Sequence, residues 1–410
     1  RSIMTDFLYI INSNKSNKTI GGIDMPKLST RLNGFTESVI RKMTRISNEY
    51  NAINLSQGFP DFDPPKEITD RLKEVADEGP HQYSVTWGAQ NFRNELAKKQ
   101  SKFMGVNINP DENIVVTCGS TEAMMTAMMS LCNIGDKVIV FSPFYENYTA
   151  DTILSGSEPI YVPLKPPYFN FDKDELRRAF EQKPKAIILC NPSNPTGKVF
   201  TKEELDYIAK LAIEFDVFVI TDEVYEHLVF PPYKHTYMAS LKGMFERTIS
   251  CSSLSKTYSI TGWRLGYVIA SKQIIEQCKK VHDFLTVGAA APLQEAAVVG
   301  LQFDQDYYDK LTESYDSKRK LFLDGLDKIG LKYFMPQGAY YVMVDISQFG
   351  YKSDYDFAVW LIKNIGVAGV PGSSFFKEDV NNYIRFHFAK KEETLKEALK
   401  RLEKLKEYIN

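Results

Sequence analysis

The sequence predicts an α/β protein built on a mostly parallel sheet sandwiched by helices, with a smaller α+β part toward the C-terminal end. Three observations predict it. Between about residues 110 and 300, short apolar runs alternate with helical patterns: Ile114-Val115-Val116-Thr117, Val138-Ile139-Val140-Phe141, Ala186-Ile187-Ile188-Leu189-Cys190, Val217-Phe218-Val219-Ile220-Thr221, Thr248-Ile249-Ser250-Cys251 and Leu265 to Ala270. Strands apolar on both faces are buried on both faces, as in a parallel sheet covered by helices. Between the third and fourth runs, Thr201 and Glu204 form a helix-start signal, and Leu205, Ile208, Leu211 and Phe215 follow on one face. After about residue 305 the rhythm changes. A helix near 317–329, a strand at Tyr340–Asp345, a helix near 355–365 and a strand at Tyr383–Phe388 are followed by a charged helix. That helix turns Leu395, Leu399, Leu402 and Ile409 inward and carries Glu392–Lys396 and Glu397–Arg401 pairs one turn apart.

The organisation expected is a tail over 1–24, an arm and first part of the small domain over 25–60, a large domain over 61–304 and a small domain over 305–410. The 410 residues, 43% of them hydrophobic, suffice for two cores. With 26 Phe, 23 Tyr and 3 Trp the chain is not a disordered one. Fifty basic residues stand against fifty-two acidic ones, a net charge of −2, so no global field points to nucleic acid or an anionic membrane. Five cysteines, at 118, 132, 190, 251 and 278, form no Cys-x-x-Cys pair and sit among apolar residues, which predicts free thiols, no metal and a reducing, cytoplasmic setting. No apolar stretch of about 18 residues occurs. Phe7-Leu8-Tyr9-Ile10-Ile11 is too short, and lacks the small-residue site, for a signal peptide.

Loops that follow strands carry ligand chemistry in open α/β sheets. Gly119-Ser120-Thr121 opens a helix and offers backbone N–H groups to an anion. Ser253 and Arg264 add a hydroxyl and a guanidinium. Asp222 suits a cationic ring nitrogen, Asn194 and Tyr225 a phenolate oxygen, and Lys256 an aldehyde carbon. Taken singly, each has a plainer reading: a helix cap, a turn, a solvated lysine, a proline-pinned loop at Asn191–Gly197. Taken together, at successive strand ends, they describe a receptor for pyridoxal 5′-phosphate.

Asn191-Pro192-Ser193-Asn194-Pro195-Thr196-Gly197, the segment Thr221–Phe230 (TDEVYEHLVF) and the segment Ser253–Tyr267 (SLSKTYSITGWRLGY) resemble three motifs of the fold-type I pyridoxal-phosphate aminotransferases. Residues 53–63 and 383–395 resemble two more, so the resemblance runs from about residue 26 to the C-terminus. It is similar most of all to the kynurenine, glutamine and methionine aminotransferase subgroup. The resemblance implies a seven-stranded sheet, a homodimer with shared sites, and a ping-pong transfer of an amino group from an L-amino acid to a 2-oxo acid. It implies that Lys256 is the Schiff-base lysine and proton carrier and that Asp222 protonates the pyridine nitrogen. Asn194 and Tyr225 bind the ring oxygen, and Ser120, Thr121, Ser253 and Arg264 hold the phosphate. Tyr145 stacks on the ring, and Tyr83 reaches the neighbouring subunit's phosphate. Arg385 clamps the substrate carboxylate with Gly58 and Asn194; Phe59 and Tyr340 are pocket candidates.

Departures from the subgroup bear on substrate. Ser120 stands where an aspartate-preferring branch has lysine, and Ile40 where kynurenine-type members tend to have tryptophan. Val287 and Gly288 occupy a stretch that contributes aromatics elsewhere. Straight or medium apolar side chains such as that of methionine fit this lining better than large rings. A cysteine-conjugate β-lyase and an aspartate aminotransferase are the alternatives within the same chemistry. A non-catalytic relative is disfavoured by the intact Lys256.

Overall fold

The computed structural model of the protein describes residues 26–34 and 36–409. The tail expected over 1–24 lies outside the described residues. Arg1–Thr36 and Glu37–Asn410 are separate units. In the first, Thr30–Gly34 forms an exposed 3-10 turn.

In the second unit, a sheet runs in the order Ile114–Thr117, Gly266–Ile269, Thr248–Ser253, Phe218–Asp222, Ala186–Cys190, Lys137–Ser142, Glu158–Lys165, with two-residue Asn170–Phe171 added at the far edge. Seven strands thus form its body and a short eighth extends it. Gly266–Ile269 alone in the body runs antiparallel to both neighbours. That reversal brings the beginning of Gly266–Ile269 to the end of the sheet where the parallel strands finish. Glu158–Lys165 stood outside the apolar runs of the sequence because Pro159 and Pro163 interrupt it. It pairs along its length with Lys137–Ser142 and only through Leu164 and Lys165 on its other side, an edge position that tolerates proline. Two apolar clusters cover the two faces. One holds Ile139, Ile187, Val219, Leu205 and Ile208; the other holds Val140, Ile188, Ile220, Ala127 and Ile275.

The capping box appears as the sequence predicts: Thr201 Oγ1 accepts from Glu204 N, and Glu204 returns to Thr201 N, at the head of Lys202–Glu214.

A smaller antiparallel sheet has the order Lys332–Tyr333, Tyr341–Asp345, Tyr383–His387, Val370–Pro371. Ile53–Asn54 pairs in parallel with Val367–Ala368, so residues near 53 join the C-terminal part of the chain. Their shared core holds Leu55, Phe322, Phe357, Ile384 and Leu395. The helix expected near 317–329 is longer, Gln305–Ile329. Its first turns bury Tyr308 and Tyr315 and few aliphatics, which hid them from an aliphatic pattern. A Cβ on Gly325 would meet Leu399 Cδ2 at 2.4 Å, so this glycine lets the C-terminal helix pack against it. The helix expected over 355–365 is Asp354–Trp360, widening to a π turn over Leu361–Ile365. The terminal helix is Glu392–Leu402 with both predicted ion pairs formed, and Ile409 lies beyond its 3-10 continuation Glu403–Tyr408.

Thr201→Ala removes the hydroxyl that closes the capping box. It is expected to lower unfolding stability by about 1 kcal/mol, read as a fall in the urea midpoint, while Thr201→Ser retains the midpoint.

Candidate active site

A cavity of about 440 Å³ opens where the parallel strands end. Each predicted element delivers its side chain there. Ser120 and Thr121 come from the first turn of the helix Gly119–Leu131. Asn194 follows Ala186–Cys190, Asp222 ends its strand and Tyr225 follows it, and Ser253 and Lys256 lie at the end of Thr248–Ser253. Arg264 enters because Gly266–Ile269 runs the opposite way.

The anion cup is packed tightly. A Cβ on Gly119 would lie 2.2 Å from Arg264 Nη2, and Gly119 has φ +81, a left-handed conformation that favours glycine. A Cβ on Gly266 would lie 2.3 Å from Gly119 C and 2.6 Å from Ser120 N. Arg264 is itself left-handed, φ 56, with Nη1 donating to Thr261 O at 3.0 Å. Two glycines and a bent arginine therefore bring a guanidinium beside the positive end of a helix. Like charges gather there only around an anion.

Asp222 is buried. Its Oδ2 accepts from Tyr148 Oη at 2.7 Å and Oδ1 from Val224 N at 3.4 Å. Burial raises the carboxyl above its usual range against these donors, so the site favours a cation beside it. Lys256 Nζ donates to Gly58 O at 3.1 Å. Burial, Arg264 and Arg385 bring its amine down to about 8, against the pull of Asp222.

Arg385 is fully buried on its strand. Nη1 donates to Asn194 Oδ1 and Nη2 to Ser56 O, both at 2.6 Å, while the guanidinium lies 4.2 Å from the Tyr341 ring centre. Nε has no hydrogen-bond partner among the described residues. A Cβ on Gly58 would meet Tyr341 Oη at 2.2 Å, so only glycine fits there, and Phe59 lines the cavity beside it. Tyr225 Oη shares a hydrogen bond with Tyr341 Oη at 2.8 Å. Tyr145 lines the wall edge-on to Tyr148.

One expectation falls elsewhere. Tyr340 does not line the cavity; its hydroxyl donates to Gly58 O at 2.7 Å from behind. Tyr83 is 88% exposed in the single chain and lies outside the cavity. All five cysteines are free. Cys251 packs in the sheet, but Cys190 lines the cavity, and its Sγ accepts from Asn194 N at 3.5 Å.

The sequence missed Tyr148, Tyr341 and the group Ser38, Arg41 and Glu146 at the cavity wall. Tyr148 had a signal, standing one helical turn beyond Tyr145. Behind Asp222, the segment ending at His227 is pinned by a buried polar ladder. Glu226 accepts from Tyr267 Oη at 3.0 Å, from Gln100 Nε2 at 3.1 Å and from the Tyr237 hydroxyl, and Glu223 accepts from Thr221 Oγ1 at 2.7 Å. Burial opposes the Glu226 charge, but Lys99, His227 and these donors outweigh it and hold the carboxyl low, at about 2.

The sequence matches the family described as aminotransferase class I and II over residues 50–402. It is 35% identical to kynurenine–oxoglutarate transaminase 3 of Bos taurus, over 91% of this chain and 89% of that protein. It is 34% identical to the methionine aminotransferase of Escherichia coli K12, over 95% of this chain and 100% of that protein. The solved structure of N-succinyldiaminopimelate aminotransferase from Mycobacterium tuberculosis superposes with a TM-score of 0.89 at 33% identity, covering 92% of this chain and 100% of that one.

The electrostatics of Lys256 predict its reactivity. Since the neutral amine is the nucleophile, labelling by an amine-directed reagent in the cofactor-free protein should rise with pH and reach half its maximum near about 8. Peptide mass spectrometry of Lys256 against exposed lysines, with midpoints near 10.4, reads the difference; a shared midpoint contradicts it.

Proposed function

The chain belongs to the class I and II aminotransferases, and from that premise we propose that it transfers the amino group of methionine, glutamine or an aromatic, kynurenine-like amino acid to a 2-oxo acid. It is a transferase of a family that depends on pyridoxal 5′-phosphate and works by ping-pong. The residues present fit that group. The observation that carries the reading is the anion cup at Gly119, Gly266 and Arg264, set in one cavity with a buried carboxylate and a lysine amine of lowered basicity.

When bound, pyridoxal phosphate supplies a carbonyl carbon that takes the amino group and a ring that accepts electrons from the substrate Cα. Ser120, Thr121, Ser253 and Arg264 would hold the phosphate. Asp222, kept in place by Tyr148, would hold a proton at the ring nitrogen. Asn194 gives Oδ1 to Arg385, which leaves Nδ2 to donate to the ring oxygen together with Tyr225. Tyr145 would pack on the ring face. Lys256, with an amine brought down to about 8, would take the substrate Cα proton near neutral pH and hand it to the carbon that receives the amino group. Arg385 clamps the substrate α-carboxylate, with Asn194 and Gly58 beside it. Ile40, Phe59 and Tyr145 form the apolar wall toward the substrate side chain.

Dimerisation is typical of the family. We assign a homodimer with shared sites to this chain, supported by the exposure of Tyr83 and of Phe284, which is 91% exposed next to Leu285 and Val287. The free thiols support a reducing cytoplasm as its location. Among the described residues, no helix is long and apolar enough to cross a membrane.

Borohydride should fix the cofactor covalently on the Lys256 peptide of the wild type and not in Lys256→Ala; fixation elsewhere sinks the assignment. Arg385→Lys should weaken amino- and oxo-acid substrates by roughly a hundredfold while the cofactor stays bound. Loss of cofactor at unchanged substrate KM contradicts the clamp. Tyr83→Phe should weaken cofactor retention if the site is shared, and a fully active monomer in ultracentrifugation rules the sharing out.

A further inference from the structure

His282 lies on the helix Lys272–Thr286, outside the cavity, yet its ring is fully buried and bonded at both nitrogens. Nδ1 meets Glu122 Oε1 at 2.5 Å and Nε2 meets Thr86 O at 2.8 Å. A backbone carbonyl only accepts, so Nε2 carries a hydrogen. Glu122 is an acceptor on both oxygens. Its Oε2 takes the N–H of Cys118, the residue before the helix Gly119–Leu131, and its Oε1 takes the Thr286 hydroxyl at 3.3 Å. Nδ1 therefore donates too, and the ring is an imidazolium. Burial pulls this histidine down, but the Glu122 bond and charge, the Thr86 carbonyl and Asp283 on its own helix outweigh it and raise it above 6.5. Cys118, beside Glu122, is raised by burial and by that carboxylate and stays a neutral thiol.

Glu122 stands in the first turn of the helix whose start forms the anion cup, one residue after Thr121. A carboxylate there suits the helix dipole but repels an anion bound at the same end. We propose that His282 is a positioning residue for the phosphate end of the site: its imidazolium offsets the Glu122 charge, so that Glu122 caps the helix start without weakening the cup for a phosphate monoester. The inference rests on the pyridoxal-phosphate reading of this cavity and names what keeps its phosphate end cationic. His282 acts through Glu122 and touches no cavity-lining atom of the cup itself. Through Thr86 O, the same ring also fixes the loop three residues beyond Tyr83.

The test is the preference of the full chain for pyridoxal 5′-phosphate over pyridoxal, which lacks the phosphate, read as the ratio of their dissociation constants. The ratio cancels what the ring and Lys256 contribute. His282→Gln leaves Glu122 uncompensated and should lower the preference by about tenfold or more. Adding Glu122→Gln removes the stranded charge and should restore the preference to within about threefold of the wild type. A merely structural role leaves the double variant no better than the single one. In parallel, nitrogen-15 NMR of the histidine-labelled wild-type holoenzyme near neutral pH should show hydrogen on both ring nitrogens of His282, assigned through its contact with Thr286. That measurement stands even where a variant fails to fold. An unchanged preference in His282→Gln, no recovery in the double variant, or a neutral ring in the holoenzyme overturns the proposal. A wild type that binds neither pyridoxal phosphate nor pyridoxal overturns the cofactor reading, and the proposal with it.

Discussion

The structure depends on keeping Lys256, Arg264 and Arg385 around one cavity with the buried carboxyl of Asp222. Burying Arg385 and most of Lys256 close to the exposed Arg264 costs free energy, and each is held by something the fold provides. Arg264 lies against a helix N-terminus only because Gly119 and Gly266 remove two Cβ atoms from its path. Arg385 is fixed by Asn194 Oδ1 and Ser56 O and covered by the Tyr341 ring. Lys256 answers the crowding by losing basicity. On the proposed function, the cost is converted into chemistry: two anion receptors and an amine that exchanges its proton near neutrality.

This arrangement explains why the site is built from both sheets. The large sheet brings Ser120, Asn194, Asp222, Ser253 and Lys256 to one end, and the reversed strand Gly266–Ile269 adds Arg264. Arg385 sits on the small sheet in register with Met343 and Val370, and Gly58 follows the strand that pairs with Val367–Ala368. Lys256 Nζ and Tyr340 Oη both meet Gly58 O, so one carbonyl ties the two sheets at the reacting amine.

Much of this was legible in the sequence because the large sheet is read by burial alone. Strands buried on both faces give unbroken apolar runs, and the loops after them contain Asn194, Asp222, Ser253 and Lys256. The edge strand Glu158–Lys165 was harder, since only one face of its pairing is complete and prolines occupy it. The start of Gln305–Ile329 was hidden because tyrosines, not aliphatics, do its packing. At the site, Tyr148 acts through a hydroxyl on Asp222, and Tyr341 through contacts with Tyr225, Gly58 and Arg385. Such supporting contacts join residues distant in sequence, and no local pattern marks them. Cysteine 190 shows the same limit, since an apolar run predicts its packing but not its exposure to the cavity.

The residues legible from the sequence and those visible only in the structure divide by role. On the proposed function, the motifs legible in the sequence concern the parts common to every turn of the reaction: phosphate, ring and α-carboxylate. The wall formed by Ser38, Ile40, Arg41, Phe59, Tyr145 and Glu146 concerns what differs between one amino acid and another. Its members come from a helix start, the loop after Asn54 and the loop after Ser142, which meet only in the folded chain. Ile40 makes part of this wall apolar, while Glu146 is committed to the helix start. A ping-pong enzyme must admit two different side chains to one site in turn. On the proposed function, a wall drawn from segments apart from the strand-end loops meets that requirement without altering the receptor beneath it.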